Sequence, residues 1–207
     1  MTLRRPHEKG FALNSLRDRL SCRPRIFNAL HCLHLVSPVT QTRPEELDCL
    51  ARHARGRREA LEIGTFMGVS AAVIAAALSP AGRLHCVDPY PGSDAVLRIA
   101  RRHLARAGVA GRVEFHRGTA ASSADRLPQA IDFAFIDGDH SREGLAADWR
   151  LVAPRLRPGG VVCLHDTISP PGPPCGAVDY FREHIRVAPG FSAVESCASL
   201  SVVRRDG

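Results

Sequence analysis

Ala60-Leu61-Glu62-Ile63-Gly64-Thr65-Phe66-Met67-Gly68-Val69-Ser70 is the stretch that decides the fold. An apolar run ends in an acid, two glycines follow four residues apart, and an alanine-rich apolar segment begins at once. Strand, tight glycine turn and helix N-terminus in series seat a nucleoside-bearing cofactor at the edge of a parallel sheet. Gly64 and Gly68 match G-x-x-x-G, not the G-x-G-x-x-G of dinucleotide sites, so this turn alone is weak evidence. Its weight comes from the ends of the later strands.

Outward from this turn the chain alternates strand and helix. Pro44-Glu45-Glu46 opens a helix with proline and acids where the helix dipole favours them, and it runs to about Arg55. Glu59 to Ile63 reads as the first strand, and Gly68 to Leu78 as a buried helix, apolar on nearly every face. Arg83 to Val87 reads as the second strand and Asp94 to Ala107 as an amphipathic helix. Val113 to His116 reads as the third strand, with a short helix near Ser122 to Leu127. Ile131 to Ile136 reads as the fourth strand, followed by a helix from the N-cap Ser141 to Val152. Val161 to Leu164 follows Pro158-Gly159-Gly160 as the fifth strand. Pro170, Pro171, Pro173 and Pro174 stiffen the loop after it, ahead of a helix from Ala177 to His184. Phe191 to Val194 and Leu200 to Val203 close the chain as an antiparallel pair. Five β-α units with buried strands predict an α/β fold with a doubly wound, mainly parallel sheet. Residues 1–44 read as an N-terminal extension that packs on the sheet or caps the site, and 45–207 as the main domain.

Ligands in such sheets bind beyond the carboxyl ends of the strands. Here five consecutive strand ends carry Glu62, Asp88, Gly118-Thr119, Asp137 and His165-Asp166. Asp88 stands about 20 residues past the glycine turn, where a carboxylate accepts from both ribose hydroxyls; the plain alternative is an Asp-Pro turn. Gly118-Thr119-Ala120 offers small residues against which an adenine ring can lie, or a simple turn. Glu62 would repel a pyrophosphate and attract a sulfonium or amino group, which argues for S-adenosylmethionine and against NAD. A structural ion pair to an arginine is the competing reading. Asp137, His165 and Asp166 at adjacent strand ends suit one divalent ion. Carboxylates alone favour Mg²⁺, and a histidine ligand shifts the preference toward Mn²⁺, Fe²⁺ or Zn²⁺. Asp137 could instead serve the cofactor's surroundings, with Asp166 capping a turn and no metal bound. His140, three residues past Asp137, is placed to take a proton from a hydroxyl nucleophile, or else to cap the next helix; His165 is the other candidate base.

Composition narrows the class further. The 207 residues suffice for one domain with a full core. The net charge of +7 is almost all arginine, with Lys9 the single lysine, and fits a solvated basic surface. With 5% aromatic residues, no aromatic-plus-basic stripe suggests single-stranded nucleic acid as a partner. Seven cysteines without C-x-x-C spacing, several inside apolar runs, predict buried reduced thiols and a cytoplasmic setting. No apolar run approaches the roughly 20 residues of a membrane span. Residues 1–44 contain only Glu8 and Asp18 as acids, a composition shared with organelle transit peptides.

On these motifs the chain resembles the class I S-adenosylmethionine-dependent methyltransferases. Within them it is similar to the small O-methyltransferases related to catechol O-methyltransferase, especially the bacterial branch acting on natural products and sugars. The resemblance spans roughly residues 36–206. It rests on Ser37-Pro38-Val39-Thr40, Leu61-Glu62-Ile63-Gly64-Thr65-Phe66, Phe135-Ile136-Asp137-Gly138-Asp139-His140, and Pro158-Gly159-Gly160 leading to His165-Asp166-Thr167.

The resemblance implies a seven-stranded Rossmann-like sheet with its last strand antiparallel. It also implies cofactor contacts at Glu62, Gly64, Thr65, Gly68, Ser70, Asp88, Gly118, Thr119, Ala120 and Asp137. His140 stands where the catechol type has a catalytic lysine, and His165-Asp166 where it has Asp-Asn; both departures loosen the link to Mg²⁺ and to a catechol. The expected reaction is methyl transfer to a small-molecule hydroxyl, with His140 as base and Asp137, His165 and Asp166 as metal ligands. The competing readings are a metal-independent N- or O-methyltransferase, a non-catalytic cofactor- or RNA-binding module, and an NAD-dependent oxidoreductase. Similar enzymes are commonly homodimers, and the N-terminal extension is the candidate contact.

Overall fold

The computed structural model describes residues 23–91, 94–168 and 176–207. Seven strands, β1 (Glu59–Ile63), β2 (Arg83–Asp88), β3 (Val113–Arg117), β4 (Ile131–Ile136), β5 (Leu156–Leu164), β6 (Phe191–Cys197) and β7 (Leu200–Arg205), form one sheet. Its order is β3-β2-β1-β4-β5-β7-β6. The pairs from β3 across to β5 are parallel, and β7 runs antiparallel to both neighbours. This is the doubly wound α/β sheet that the alternating pattern predicts, including the antiparallel closing pair.

The central strands lack strand-like alternation because helices cover both faces. On one face Ala60, Cys86, Phe133, Phe135 and Cys163 pack under α2 (Pro44–Ala54), α3 (Val69–Ala77) and α4 (Ala95–Arg106). On the other, Leu61, Val87, Ala134, Ile136 and Val162 pack under α5 (Ala120–Ser123), α6 (Arg142–Val152) and α7 (Gly176–Tyr180). Each large apolar side chain so buried contributes about 1.5–3 kcal/mol. The remaining α-helix among the described residues, α1 (Pro24–Cys32), lies against α4, where Arg102 reaches Asn28 and Arg106 reaches the carbonyl of His31.

α3 is small and apolar all round because α2, α4 and the sheet enclose it. Its N-cap Gly68 has φ +78°, and a Cβ there would meet the Ala100 Cβ at 3.3 Å. α6 begins as expected: the Ser141 hydroxyl accepts from Gly144 N at 3.0 Å. β5 starts five residues earlier than its apolar run suggests. Pro158-Gly159-Gly160 is absorbed as an irregularity in the pairing with β4, between Ile131 and Phe133. The helix after the proline loop is also shorter than expected, passing into a π turn over Phe181–Ile185. The proline cluster itself falls within 169–175, outside the described residues.

The order β2-β1-β4-β5 places a topological switch point between β1 and β4, where successive connections leave in opposite directions. Backbone bonds extend the ladder past the strands: Gly64 N to Val87 O (2.9 Å), Asp137 N to Ile63 O (2.8 Å) and His165 N to Ile136 O (3.0 Å). The polar residues ending β1, β2, β4 and β5 therefore stand on one rim.

Candidate active site

At this rim lies a cleft of about 750 Å³. Gly64, Thr65 and Ser70 line its floor, Asp88 one wall, Gly118, Thr119 and Ala120 the next, and Asp137 and His140 its other end. Val39, Thr40 and Gln41, from the segment between α1 and α2, line it as well. Glu62, Gly68, His165 and Asp166 stand outside this lining and join it through their neighbours.

Gly64 makes the close approach that the motif requires. Its φ is +91°, and a Cβ there would fall 1.9 Å from the Asp137 carbonyl oxygen. Any side chain would drive β1 and β4 apart at the switch point. Beneath the turn Glu62 is fully buried. The Cys86 thiol donates to its Oε2 at 3.5 Å, while Oε1 has no partner of hydrogen-bond geometry among the described residues. Burial raises its pKa to about 7, even though the nearby Ser70 and Thr65 hydroxyls and the Cys86 thiol oppose the shift. No arginine pairs with it among the described residues, so a structural ion pair does not account for this acid.

Asp88 accepts from Phe66 N (2.8 Å) and Tyr90 N (2.7 Å), one bond per oxygen. Each oxygen keeps a lone pair for a ligand, so the turn role and a ribose role are compatible. Thr119 is the N-cap of α5, accepting from Ser122 N at 3.2 Å, and Gly118 above it has φ +140°.

At the other end four side chains converge. His140 contacts Asp137 Oδ1 through Nε2 (3.1 Å) and Asp166 Oδ2 through Nδ1 (2.9 Å). His165 Nδ1 lies 3.0 Å from Asp137 Oδ1 and 3.6 Å from Asp166 Oδ2. The hydrogen bond that His140 donates to Asp137 raises the His140 pKa against the effect of burial. Burial also opposes the charged form of His165, but Asp137, Asp166 and Glu46 outweigh it and raise the pKa to about 9. Asp137 is held low: desolvation pushes its pKa up, and the two histidines more than reverse that. Asp137, His140 and His165 each offer an atom within 4.8 Å of the others, a spacing that fits one metal ion. Asp166, with φ +51°, supplies a further oxygen.

Two functional residues escaped the sequence reading. Glu46, on α2, is completely buried and faces His165 Nε2 at 3.3 Å. It also accepts from Ser199 N and Oγ (2.8 and 2.7 Å) and from Arg43 N (2.7 Å). The sequence signalled only a helix-opening acid. Asp148, on α6, lines the cleft beside Gly138 with its pKa raised by burial to about 6.

Residues 61–167, more than half of the chain, match the family described as a methyltransferase domain. The chain belongs to this methyltransferase family. Within it, the chain is 34% identical over 121 residues to a catechol O-methyltransferase of Mycobacterium tuberculosis, a match covering 58% of this chain and 52% of that protein. It is also 34% identical over 93 residues to tricin synthase 1 of Oryza sativa subsp. japonica, covering 41% and 36%. The chain thus spans about half the length, or less, of these curated relatives. Among solved structures, the O-methyltransferase TomG of Streptomyces achromogenes, in complex with SAM, is 26% identical with a TM-score of 0.65, covering 87% of each chain. The O-methyltransferase of Bacillus cereus in complex with SAH shares the fold: TM-score 0.70, 23% identity, 93% of this chain and 97% of that one.

Proposed function

We propose that this methyltransferase is S-adenosylmethionine-dependent and methylates a hydroxyl of a small molecule, such as a phenol, a sugar or a natural product. One observation carries the reading. Asp137, His140, His165 and Asp166 meet at the mouth of a cleft whose inner end is a glycine turn over a buried carboxylate with one oxygen unpartnered among the described residues. The names of the catechol O-methyltransferase and of TomG support it.

Glu62, Gly64, Thr65, Gly68 and Ser70 would hold the amino-acid end of the cofactor, Asp88 its ribose, and Gly118, Thr119 and Ala120 its adenine. S-adenosylmethionine supplies a sulfonium-bound methyl group and brings no phosphate for Glu62 to repel. The chain's own task is then positioning, holding the acceptor oxygen in line with that methyl group. Such alignment is worth on the order of 7–11 kcal/mol of the barrier. His140, one-third exposed at the cleft mouth, has both ring nitrogens on the carboxylates of Asp137 and Asp166; with those carboxylates drawn onto an ion, one nitrogen would be freed to take the acceptor's proton.

Asp137 and Asp166 oxygens with His165 Nδ1 fit a divalent ion chemically. The Glu46 carboxylate accepts from His165 Nε2, so an ion displacing the proton of Nδ1 would be bound on the side of the two aspartates. Such an ion supplies positive charge that lowers the pKa of a nearby hydroxyl. Imidazole in the set favours Mn²⁺, Fe²⁺ or Zn²⁺ over Mg²⁺. A metal-independent enzyme is the second reading, because the four side chains already satisfy one another as ion pairs.

We read residues 1–44, of which 1–22 lie outside the described residues, as a cap and candidate dimer contact, 45–207 as the methyl-transfer domain, and a reducing cytoplasm as the setting. The thiols of Cys32, Cys49, Cys86, Cys163 and Cys197 are free, and no helix among the described residues is long and apolar enough to cross a membrane.

The test is isotopic methyl transfer from labelled S-adenosylmethionine to a panel of phenols, catechols and sugars, with and without a chelator. Calorimetric titration with S-adenosylhomocysteine and with NAD runs beside it. Loss of transfer on chelation, restored by Mn²⁺ or Zn²⁺, selects the metal-assisted reading. Uptake of NAD with no binding of S-adenosylhomocysteine would sink the proposal.

A further inference from the structure

A second group of metal-ligating side chains lies away from the cleft rim, on β1, β2 and β3 at the edge of the sheet. His85 and Glu114 are register partners across β2 and β3, and His116 follows two residues on, so all three share a face. Glu59, at the start of β1, lies on the same face as Leu61, the register partner of His85. Both histidines are buried, while the Glu114 side chain is 63% exposed and opens the cluster to solvent.

We propose that His85, His116 and Glu114 form a binding site for a divalent transition ion, with Zn²⁺ the best fit, and that Glu59 orients His85 within it. His85 Nδ1 and His116 Nε2 stand 3.0 Å apart, and each is 3.7 Å from an oxygen of Glu114. Two nitrogens bound to tetrahedral zinc at about 2.0–2.1 Å are separated by roughly 3.3 Å, so small movements close this triangle on an ion. The donor set, two imidazoles and a carboxylate, leaves a fourth position open toward solvent.

The other nitrogen of His85 gives the independent sign. Nε2 lies 2.9 Å from Glu59 Oε1, and a carboxylate can only accept. The proton therefore sits on Nε2, and the Nδ1 lone pair faces His116 and Glu114. A carboxylate behind a histidine in this way is the arrangement that fixes the tautomer of metal ligands. Glu59 and Glu114 together bring two negative charges, matching a divalent cation. In the Cys49, His53 and Glu195 cluster, by contrast, the Arg52 guanidinium already forks onto Glu195 at 3.0 and 2.8 Å.

An ion here would clip edge strand β3 to β2 a short way below Gly118 and Thr119, and so steady one wall of the cleft.

The test uses the full chain, stripped with a chelator and then titrated with Zn²⁺ and Co²⁺ near neutral pH, with bound metal counted by plasma mass spectrometry. An Asp137→Asn/Asp166→Asn background removes the donors at the cleft mouth from the count. That background is expected to retain one equivalent of Zn²⁺ and to show visible Co²⁺ absorption bands. Adding His116→Gln or Glu114→Gln should abolish both. Glu59→Gln should weaken binding by about 10–100-fold. Glu114 is exposed, so Glu114→Gln leaves the fold intact even if His116→Gln does not, and the same one-equivalent difference is read between wild type and Glu114→Gln. The proposal is overturned if the background takes up no zinc at micromolar free ion. It is equally overturned if Glu114→Gln and His116→Gln leave affinity and stoichiometry unchanged, which would make the contact a histidine–histidine hydrogen bond only.

Discussion

Replacing Glu62 by glutamine should stabilise the ligand-free protein above neutral pH while weakening its hold on the cofactor. The carboxyl is fully buried and its pKa stands at about 7, against 4.5 for the free group. About 2.5 units at 1.36 kcal/mol each amounts to roughly 3 kcal/mol. The folded state binds this proton more tightly than the unfolded chain does. Stability is therefore lost as pH rises from near 4.5 through about 7, and the full penalty persists above that. Glutamine carries no charge to desolvate, but it adds a buried amide hydrogen. The expected gain at pH 8 is thus between about 1 and 3 kcal/mol, with the wild-type slope between pH 4.5 and 7 flattened. Urea unfolding across that range reads it. If the carboxylate instead serves the cofactor's ammonium group, the same variant loses a charge-assisted bond of about 1.5–3 kcal/mol, which is about 10–100-fold in affinity for S-adenosylhomocysteine. Wild-type binding should tighten as pH rises toward 7, and the variant's should not. A Glu62→Gln protein that is less stable at pH 8, yet binds S-adenosylhomocysteine with wild-type affinity and pH profile, would show that the acid serves the fold and refute the reasoning.

Three further outcomes follow from the geometry. Gly64→Ala should cost at least about 3 kcal/mol, because its Cβ falls 1.9 Å from the Asp137 carbonyl at a φ of +91°; the urea midpoint measures this. Glu46→Gln should lower divalent-ion affinity at the cleft by about 10–100-fold through His165, with Glu46→Asp recovering part of it. A merely structural role would instead show as lost stability with ion affinity unchanged. His140→Ala should reduce turnover by about 10²–10⁴-fold with little change in S-adenosylhomocysteine affinity, and a parallel loss of both would remove His140 from the base role.

Much of this architecture was legible in the sequence because local rules and global packing agree. β1 and β4 have the bounds that the pattern sets, since each is buried over nearly its whole length and ends where Gly64 or Asp137-Gly138 begins a turn. The Ser141 cap marked the start of α6 to within a residue. β5 was less legible, because a proline and two glycines read as a turn until β4 supplies a bulged partner for them. The strand-end acids were visible for the same reason as the strands, a charge being conspicuous at the end of an apolar run.

Spacing along the chain determined that Glu62, Asp88, Asp137 and His165-Asp166 would share one rim, because parallel strands of matched length end together. Only the tertiary structure could bring Glu46 across 119 residues to His165, or set His85 against His116 and Glu59. Those contacts join different elements through register and helix placement, and neither leaves a periodic trace in the residues themselves. Whether a buried acid is neutral or charged was likewise decided by packing, because desolvation depends on everything that surrounds the group and not on its neighbours in sequence.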